Sequence, residues 1–524
     1  MPRIGELRLL KIRQVMQNSS SKLLYWAITC ALAGFIFGFD LIVISGAEQK
    51  IQSLWGLSGL EHGFAMSAAL WGTVLGSIFG GGPTDKFGRK RVLLWIGILY
   101  FISAIGSALA PNVSLFAISR FIGGIGIGVS TVAAPLFISE ISPTERRGRL
   151  TGMFQFNIVF GLLIATLSNA MILQMMGSDS ETAWRWMLGI EAIPALVYCF
   201  MCFTLPESPR WLINNHQREE GKKILGQINP SFSEVKLEEL VAEIEQAGDL
   251  EAGKSSVLWK PLKLALVLAF LIAFFNQLSG INAILGYAPR ILGMTGFDPG
   301  ESLFNASLIT SVNLIFTLVG LALIDKIGRR SLLYIGSFGY IISLSVCAWA
   351  FHNYRAPFSD AADAITLKNS APIIAADISQ LPEKYRSQVS SENLSESLVE
   401  EVASNSLKSA KEETGFGSNL VLICILAFIA AHAIGQGAVI WVFISEIFPS
   451  VARGFGQSLG CSTHWVFAAI LTLIFPLAME AFSATQIFGF FAFMMILQLV
   501  WIRLMVPETK GVSLEDMQAN LSKD

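Results

Sequence analysis

Long apolar runs recur along the chain, at about 23–46, 62–82, 92–110, 113–139, 151–174, 184–205, 260–289, 302–324, 331–352, 419–445, 454–478 and 484–506. A helix rises 1.5 Å per residue, so crossing roughly 30 Å of hydrocarbon takes about 20 residues. Each run approaches or exceeds that length, and the pattern predicts twelve membrane-spanning helices. The glycine-rich stretches at 76–82 and 121–128 would weaken helices in water, whereas in lipid small residues let backbones pack closely. Two polar stretches break the rhythm, at about 206–258 and 353–418. The first divides the spans six and six and contains ILGQI and VKLEELVAEIEQA, whose helical apolar spacing predicts short amphipathic helices along the membrane face. The second, rich in Ser, Asn and Ala, falls between the ninth and tenth spans and is read as either a small helical insert or a largely disordered one.

Composition agrees: 53% of residues are hydrophobic and 15% charged, far from a soluble domain. The net charge of −2 gives no sign of a nucleic-acid partner, so the placement of charges carries the information. Arg3, Arg8, Lys11, Arg13 and Lys22 precede the first span, and Lys86, Arg89, Lys90 and Arg91 follow the second. The connections near 145–149 and 326–330 are also basic, while those near 47–61, 111–112 and 290–301 hold almost no Lys or Arg. The positive-inside bias then puts both termini in the cytoplasm of a cell (inner) membrane, as an even number of spans requires. The expected organisation is a tail (1–22), a six-helix bundle (23–205), a cytoplasmic linker (206–258), a second bundle (259–506) with the outside insert 353–418, and a tail (507–524). The first run is too long for a signal-peptide core and lacks a small-residue cleavage site. The six cysteines lie inside apolar runs and read as packing residues; Cys199 and Cys202 are a poor metal pair, and no metal or cofactor is expected.

The two halves repeat each other. Gly81-Gly82-Pro83-Thr84-Asp85-Lys86-Phe87-Gly88-Arg89-Lys90 recurs as Leu321-Ala322-Leu323-Ile324-Asp325-Lys326-Ile327-Gly328-Arg329-Arg330. Phe137-Ile138-Ser139-Glu140-Ile141-Ser142-Pro143, followed by Arg147-Gly148, recurs as Phe443-Ile444-Ser445-Glu446-Ile447-Phe448-Pro449, followed by Arg453-Gly454. Each pair follows the second or fourth span of its half. Parallel six-helix repeats around a site near the membrane midplane suit alternating access.

With these motifs, and with Pro206-Glu207-Ser208-Pro209-Arg210, Gln277-Leu278-Ser279-Gly280-Ile281-Asn282 and Pro507-Glu508-Thr509-Lys510-Gly511, the chain resembles the sugar porters of the major facilitator superfamily. The resemblance covers nearly the whole chain except the insert. It implies an all-α membrane protein of two pseudo-symmetric six-helix bundles, a secondary transporter rather than an enzyme, acting as a monomer in the lipid bilayer on a monosaccharide or polyol and on protons. Asp40, in an apolar helix where a carboxylate is costly unless paired or protonated, matches the proton site of symporters together with Arg120 and Glu191. A guanidinium favours the ionised carboxylate while burial opposes it; Arg120 cannot titrate, so Asp40 is expected to.

A neutral, hydroxyl-rich sugar needs side chains that both donate and accept hydrogen bonds, and an aromatic face. The resemblance points to Gln155, Asn276, Gln277, Asn282, Asn313 and Trp441, with His464 standing where an amide is frequent. Five helical steps rotate Gln277 and Asn282 about 140° apart, so Ser279-Gly280 is expected to break the helix and bring them together. Asp85, Arg89, Glu140, Arg147 and Glu207, with Asp325, Arg329, Glu446, Arg453 and Glu508, match ion-pairing residues that hold the inner side shut in the family. Asn276, Leu162, Gly286, His464 and Ala438 depart from the usual pattern, so hexose, pentose and inositol all stay open. A proton-independent facilitator and a non-transporting sensor are the alternatives. Drug antiport fits poorly with the amide-rich seventh span, and no nucleotide-binding motif suggests an ATP-driven pump.

Overall fold

The computed structural model describes residues 4–143, 146–177, 180–252, 262–369, 371, 374, 381–386, 395–448 and 452–512, with side chains for these residues apart from 4–20, 147–149, 247–252 and 369. Among the described residues twelve helical segments are long and apolar enough to span a membrane: α1 Ser21–Gly46, α2 Gly59–Phe79, α3 Arg89–Leu109, α4 Val113–Ile141, α5 Leu150–Met176, α6 Ala183–Phe203, α7 Lys263–Gly286, α8 Pro299–Ile327, α9 Arg329–Asn353, α10 Gly417–Ile447, α11 Arg453–Ala481 and α12 Ala484–Met505. They form an all-α membrane fold of two six-helix bundles. Among the described residues no strand occurs.

Helix ends follow local chemistry. A capping box of Ser58 and Glu61 starts α2, and Asp298 with Glu301 does the same for α8. Each satisfies backbone N–H groups that no preceding turn can serve. Three spans are interrupted. Pro194 has no N–H to give the Ile190 carbonyl, and α6 loses its regular ladder at Ile190–Glu191. In α7 the regular helix stops at Leu278, Gly280 takes φ 85° and a new helix begins at Ile281. In α10 the break falls at Gly435.

The glycine-rich runs set how close the helices come. A Cβ on Gly124 of α4 would lie 1.9 Å from the Ala69 carbonyl oxygen of α2, and one on Gly128 would lie 2.3 Å from that of Thr73. In lipid this close van der Waals packing takes the place of the hydrophobic drive that assembles helices in water.

The helices Pro209–Asn214, Arg218–Ile228 and Glu234–Ala252 lie between the bundles in sequence, with Ile213, Leu225, Leu237, Val241 and Ile244 packed together. Of the two readings of the insert, the described part is helical: Arg355–Asn369 and Glu396–Thr414 enclose their own core around Leu367, Tyr385 and Val399.

Candidate functional site

Asp40 and Arg120 meet inside the first bundle, 0% and 2% exposed. The Arg120 Nη1 donates to Asp40 Oδ1 and its Nη2 donates to the Asp40 backbone oxygen at 2.7 Å. Glu191, 1% exposed at the interruption of α6, faces the same pair. Asp40 Oδ2 and Glu191 Oε1 are both buried and lack a hydrogen-bond partner. One guanidinium thus serves two carboxyl groups. Tyr100, donating to Ser130 at 3.2 Å, lies beside both carboxyls.

The amides of α7 form a continuous chain. Gln277 Nε2 donates to Asn276 Oδ1 at 3.0 Å and faces the His464 ring at 3.1–3.2 Å, and Asn282 Nδ2 donates to Gln277 Oε1 at 2.8 Å. The left-handed Gly280 makes that last bond possible. A Cβ there would also strike the Phe491 ring at 2.6 Å. Trp441, half-buried, has its ring 5.3 Å from that of His464. Gln155 and Asn313 stand apart from this chain: Gln155 is half-buried with no hydrogen bond to a described residue, and among the described residues Asn313 has one side-chain hydrogen bond, accepted from Thr317 at 3.5 Å. A cavity of about 30 Å³ is lined by Leu41, Met66, Arg120, Leu162, Asn282 and Gly286 among others. It is bordered by Arg120 of the first bundle and Asn282 of the second and has room for water.

The repeated motifs build two copies of one structure. Arg89 donates to both carboxylate oxygens of Glu140 at 3.0 Å and pairs with Asp85 at 3.2 Å, while Glu207 accepts from the Arg89 backbone N–H at 2.8 Å. Arg329 does the same with Glu446 at 2.7 and 3.0 Å and with Asp325 at 3.1 Å, and Glu508 accepts from the Arg329 N–H at 2.9 Å. Every one of these bonds stays within its own half. They tie helix ends of one bundle together, and among the described residues no ion pair joins the two bundles at this end, which differs from a set of bonds bridging a shut gate. The Arg147 side chain lies outside the described residues. Arg453 is half-buried and forms no ion pair with a described residue.

The bundles do meet at the opposite end. Thr166 of α5 and Thr310 of α8 share a 2.7 Å hydrogen bond. Gly63 of α2 packs so closely on α11 that a Cβ would sit 1.9 Å from the Leu473 carbonyl oxygen. Arg290 donates to both oxygens of the buried Glu48, at 3.0 and 2.6 Å.

This architecture has known counterparts. The family profile described as "Sugar (and other) transporter" matches residues 26–366 and 403–521. The chain belongs to this family. The arabinose-proton symporter of Bacillus subtilis is 31% identical over 502 residues, covering 94% of this chain and 94% of the relative. The inward open conformation of the xylose transporter XylE from E. coli aligns with a TM-score of 0.72 and 27% identity, over 94% and 98% of the two chains. The proton:xylose symporter XylE bound to 6-bromo-6-deoxy-D-glucose aligns at 0.67 with 26% identity, over 96% and 100%. This sugar transporter family member is therefore a multi-pass membrane protein and not an enzyme.

The sequence reading of this sugar transporter passed over Glu48, His62 and Arg290. They occupy span ends that read only as poor in Lys and Arg. The available signal was weak: Glu48 lies among other polar residues (Gln49, Lys50, Gln52), and Arg290 is a lone charge in a largely apolar stretch.

Proposed function

We propose that the protein moves a monosaccharide or related polyol together with a proton by alternating access, in a cell membrane with both termini in the cytoplasm. The observation that carries this reading is the buried group of Asp40, Glu191 and Arg120, with one unpartnered oxygen on each carboxyl. Two carboxylates and one guanidinium leave one negative charge out of water, and a single proton neutralises the set. A carrier of a neutral sugar alone has no need of such a group. The amide chain Asn276–Gln277–Asn282 with His464 and Trp441 supplies donors, acceptors and an aromatic face for the sugar.

In this reading the structure is the inward-facing state. The cross-bundle ion pair Glu48–Arg290 and the Thr166–Thr310 bond lie at the end away from the repeated motifs, which the basic connections assign to the outside, while Cys461 of α11 meets Ser77 of α2 and Thr131 of α4 nearer the motifs. The motif ion pairs act inside each bundle, keeping it rigid as it rocks. Exposed pairs of this kind are worth roughly 0–1 kcal/mol each, and the two partly buried Arg–Glu forks contribute more.

The test is uptake into proteoliposomes of labelled arabinose, xylose, glucose and myo-inositol, with and without an imposed pH gradient. The expected result is one preferred sugar, accumulated above its outside concentration only when the outside is acidic. Equal uptake with and without the gradient would refute proton coupling, and no uptake of any of the four would refute the sugar assignment.

A further inference from the structure

Glu48 begins the helix Glu48–Trp55 just beyond α1 and is completely buried. It belongs to the first bundle. Its carboxylate takes two charge-assisted bonds from Arg290, which lies on the short helix Ala288–Gly293 of the second bundle: Nε to Oε1 at 3.0 Å and Nη2 to Oε2 at 2.6 Å. The same Nη2 donates to Gln52 Oε1 at 2.6 Å. His62 of α2, also completely buried, brings its Nε2 to 3.1 Å from Glu48 Oε2 and sets its ring edge-on to Tyr287, centroids 6.0 Å apart. Glu480 and Tyr287 are the further ionisable groups facing Arg290. Among the ion pairs between described residues, Glu48–Arg290 is the one that crosses from bundle to bundle.

A carboxylate shut away from water, as Glu48 is, is tolerable only while a cation saturates it, and Arg290, whose side chain is 23% exposed, reaches in from the second bundle to do so. That condition holds with the bundles together at this end. When they part, the Glu48 carboxylate regains water and the pairing is no longer required. The pair therefore discriminates between the two arrangements, whereas the Asp40 and Arg120 pair, inside one bundle, travels as a unit. We infer that Glu48, Arg290 and His62 form an ion lock that keeps the outer end closed, and that its breaking sets how often that end opens. His62 packs its ring against the carboxylate at 3.1 Å without a directed hydrogen bond, filling the space between Glu48 and Tyr287. The inference rests on the alternating-access part of the proposed function and needs neither the sugar nor the proton site.

The experiment measures opening directly. Thr166→Cys places a thiol under the closed end, where Thr166 is 2% exposed against Thr310. Its rate of labelling by a maleimide is followed in detergent-solubilised, monodisperse full-length protein, with the chain lacking this cysteine as background. Arg290→Gln strands the fully buried Glu48 carboxylate in the closed form only, and labelling is expected to rise about tenfold or more, while Glu48→Gln leaves the partly exposed Arg290 unpaired and raises it less. The double Glu48→Gln/Arg290→Gln variant strands none, and is expected to label more slowly than either single variant. His62→Leu, which puts an apolar side chain against the buried carboxylate, raises the rate, while His62→Gln, which keeps a polar N–H beside Glu48, stays near the parent. Lys50→Gln breaks the exposed Lys50–Glu181 pair of 2.8 Å at the same end and leaves the rate unchanged. Single variants that label at the parent rate overturn the lock. So does a double variant faster than both singles, which marks simple loosening of the packing. Should Glu48→Gln fail to fold, the Arg290 and His62 variants decide by the same comparison. A protein that transports no sugar but shows this labelling pattern refutes the sugar assignment and leaves the lock standing.

Discussion

Two glycines offer the same clash in two different places, and their alanine variants should fail in different ways. A Cβ at Gly63 would lie 1.9 Å from the Leu473 carbonyl oxygen, across the boundary between bundles; a Cβ at Gly124 would lie 1.9 Å from that of Ala69, inside the first bundle. Real Cβ atoms keep at least 3.0 Å from such neighbours, so the helices must part by roughly 1 Å in either case. Overpacking of this kind costs about 1–3 kcal/mol. For Gly63→Ala only the closed outer end bears that cost, because the other arrangement of the bundles removes the contact. A conformational equilibrium biased by 1–3 kcal/mol shifts about 5–150-fold. Maleimide labelling of Thr166→Cys should rise by that factor, and net uptake should fall because the cycle stalls with the outer end open. Thermal stability should stay near the parent. For Gly124→Ala both arrangements bear the cost, so the loss should appear as lower yield and a lower melting temperature, with the labelling rate unchanged. Similar labelling by both variants, or none by Gly63→Ala beyond the parent, refutes the view that α2 and α11 separate during transport.

Asp40→Asn should retain sugar counterflow and lose accumulation against a gradient, measured in the same proteoliposomes; uphill uptake by this variant removes Asp40 from the proton site. Asn282→Ala leaves the Gln277 carbonyl oxygen unpaired and removes one sugar contact, which at about 1–3 kcal/mol should weaken sugar binding 5–150-fold in a titration, without altering the pH dependence of uptake. Burial raises the Glu48 carboxyl, but the Arg290 guanidinium and His62 outweigh it and hold it below the ordinary carboxylate range. A lowered value in the closed form means that its stabilisation is present in full above the ordinary carboxyl value, about 4.3, and fades as pH falls through the lowered one. Spin labels at Leu54 and Phe482, both exposed at this end, should therefore move apart on acidification below about pH 4, and should not do so in Glu48→Gln.

The spans, the repeat and the break in α7 were legible because each has a local cause. Apolar runs report the solvent, paired motifs report duplication, and Ser279-Gly280 is a poor helix interior wherever it stands. Boundaries were less so: the first turn of α2 reads as polar, and only the Ser58–Glu61 capping box reveals that the helix begins at Gly59 rather than near His62. The lock was illegible for a different reason. Glu48 and Arg290 are 242 residues apart, and nothing in either segment names the other. The motif residues lay between these cases. Their identity as ion-pairing groups could be read, but which bundle each partner belongs to is a matter of tertiary packing, and the pairs turn out to close within each half.

The two bundles share a plan but carry different chemistry, and that difference matters for how the proposed coupling works. Ionisable groups collect in the first bundle around Arg120, while uncharged amides collect in the second around Gln277. A ligand shifts a conformational equilibrium only by the difference in its affinity for the two states. Were proton and sugar bound wholly within one bundle each, neither would sense the rocking of the other. The small cavity bordered by both Arg120 and Asn282 removes that separation, since it is walled by the two bundles at once and changes shape when they move. A sugar seated on Asn282 would press on this same wall. The charge state of the Asp40, Glu191 and Arg120 group then acts on the wall that the sugar presses on, which gives protonation a physical route to sugar affinity without any direct bond between the two.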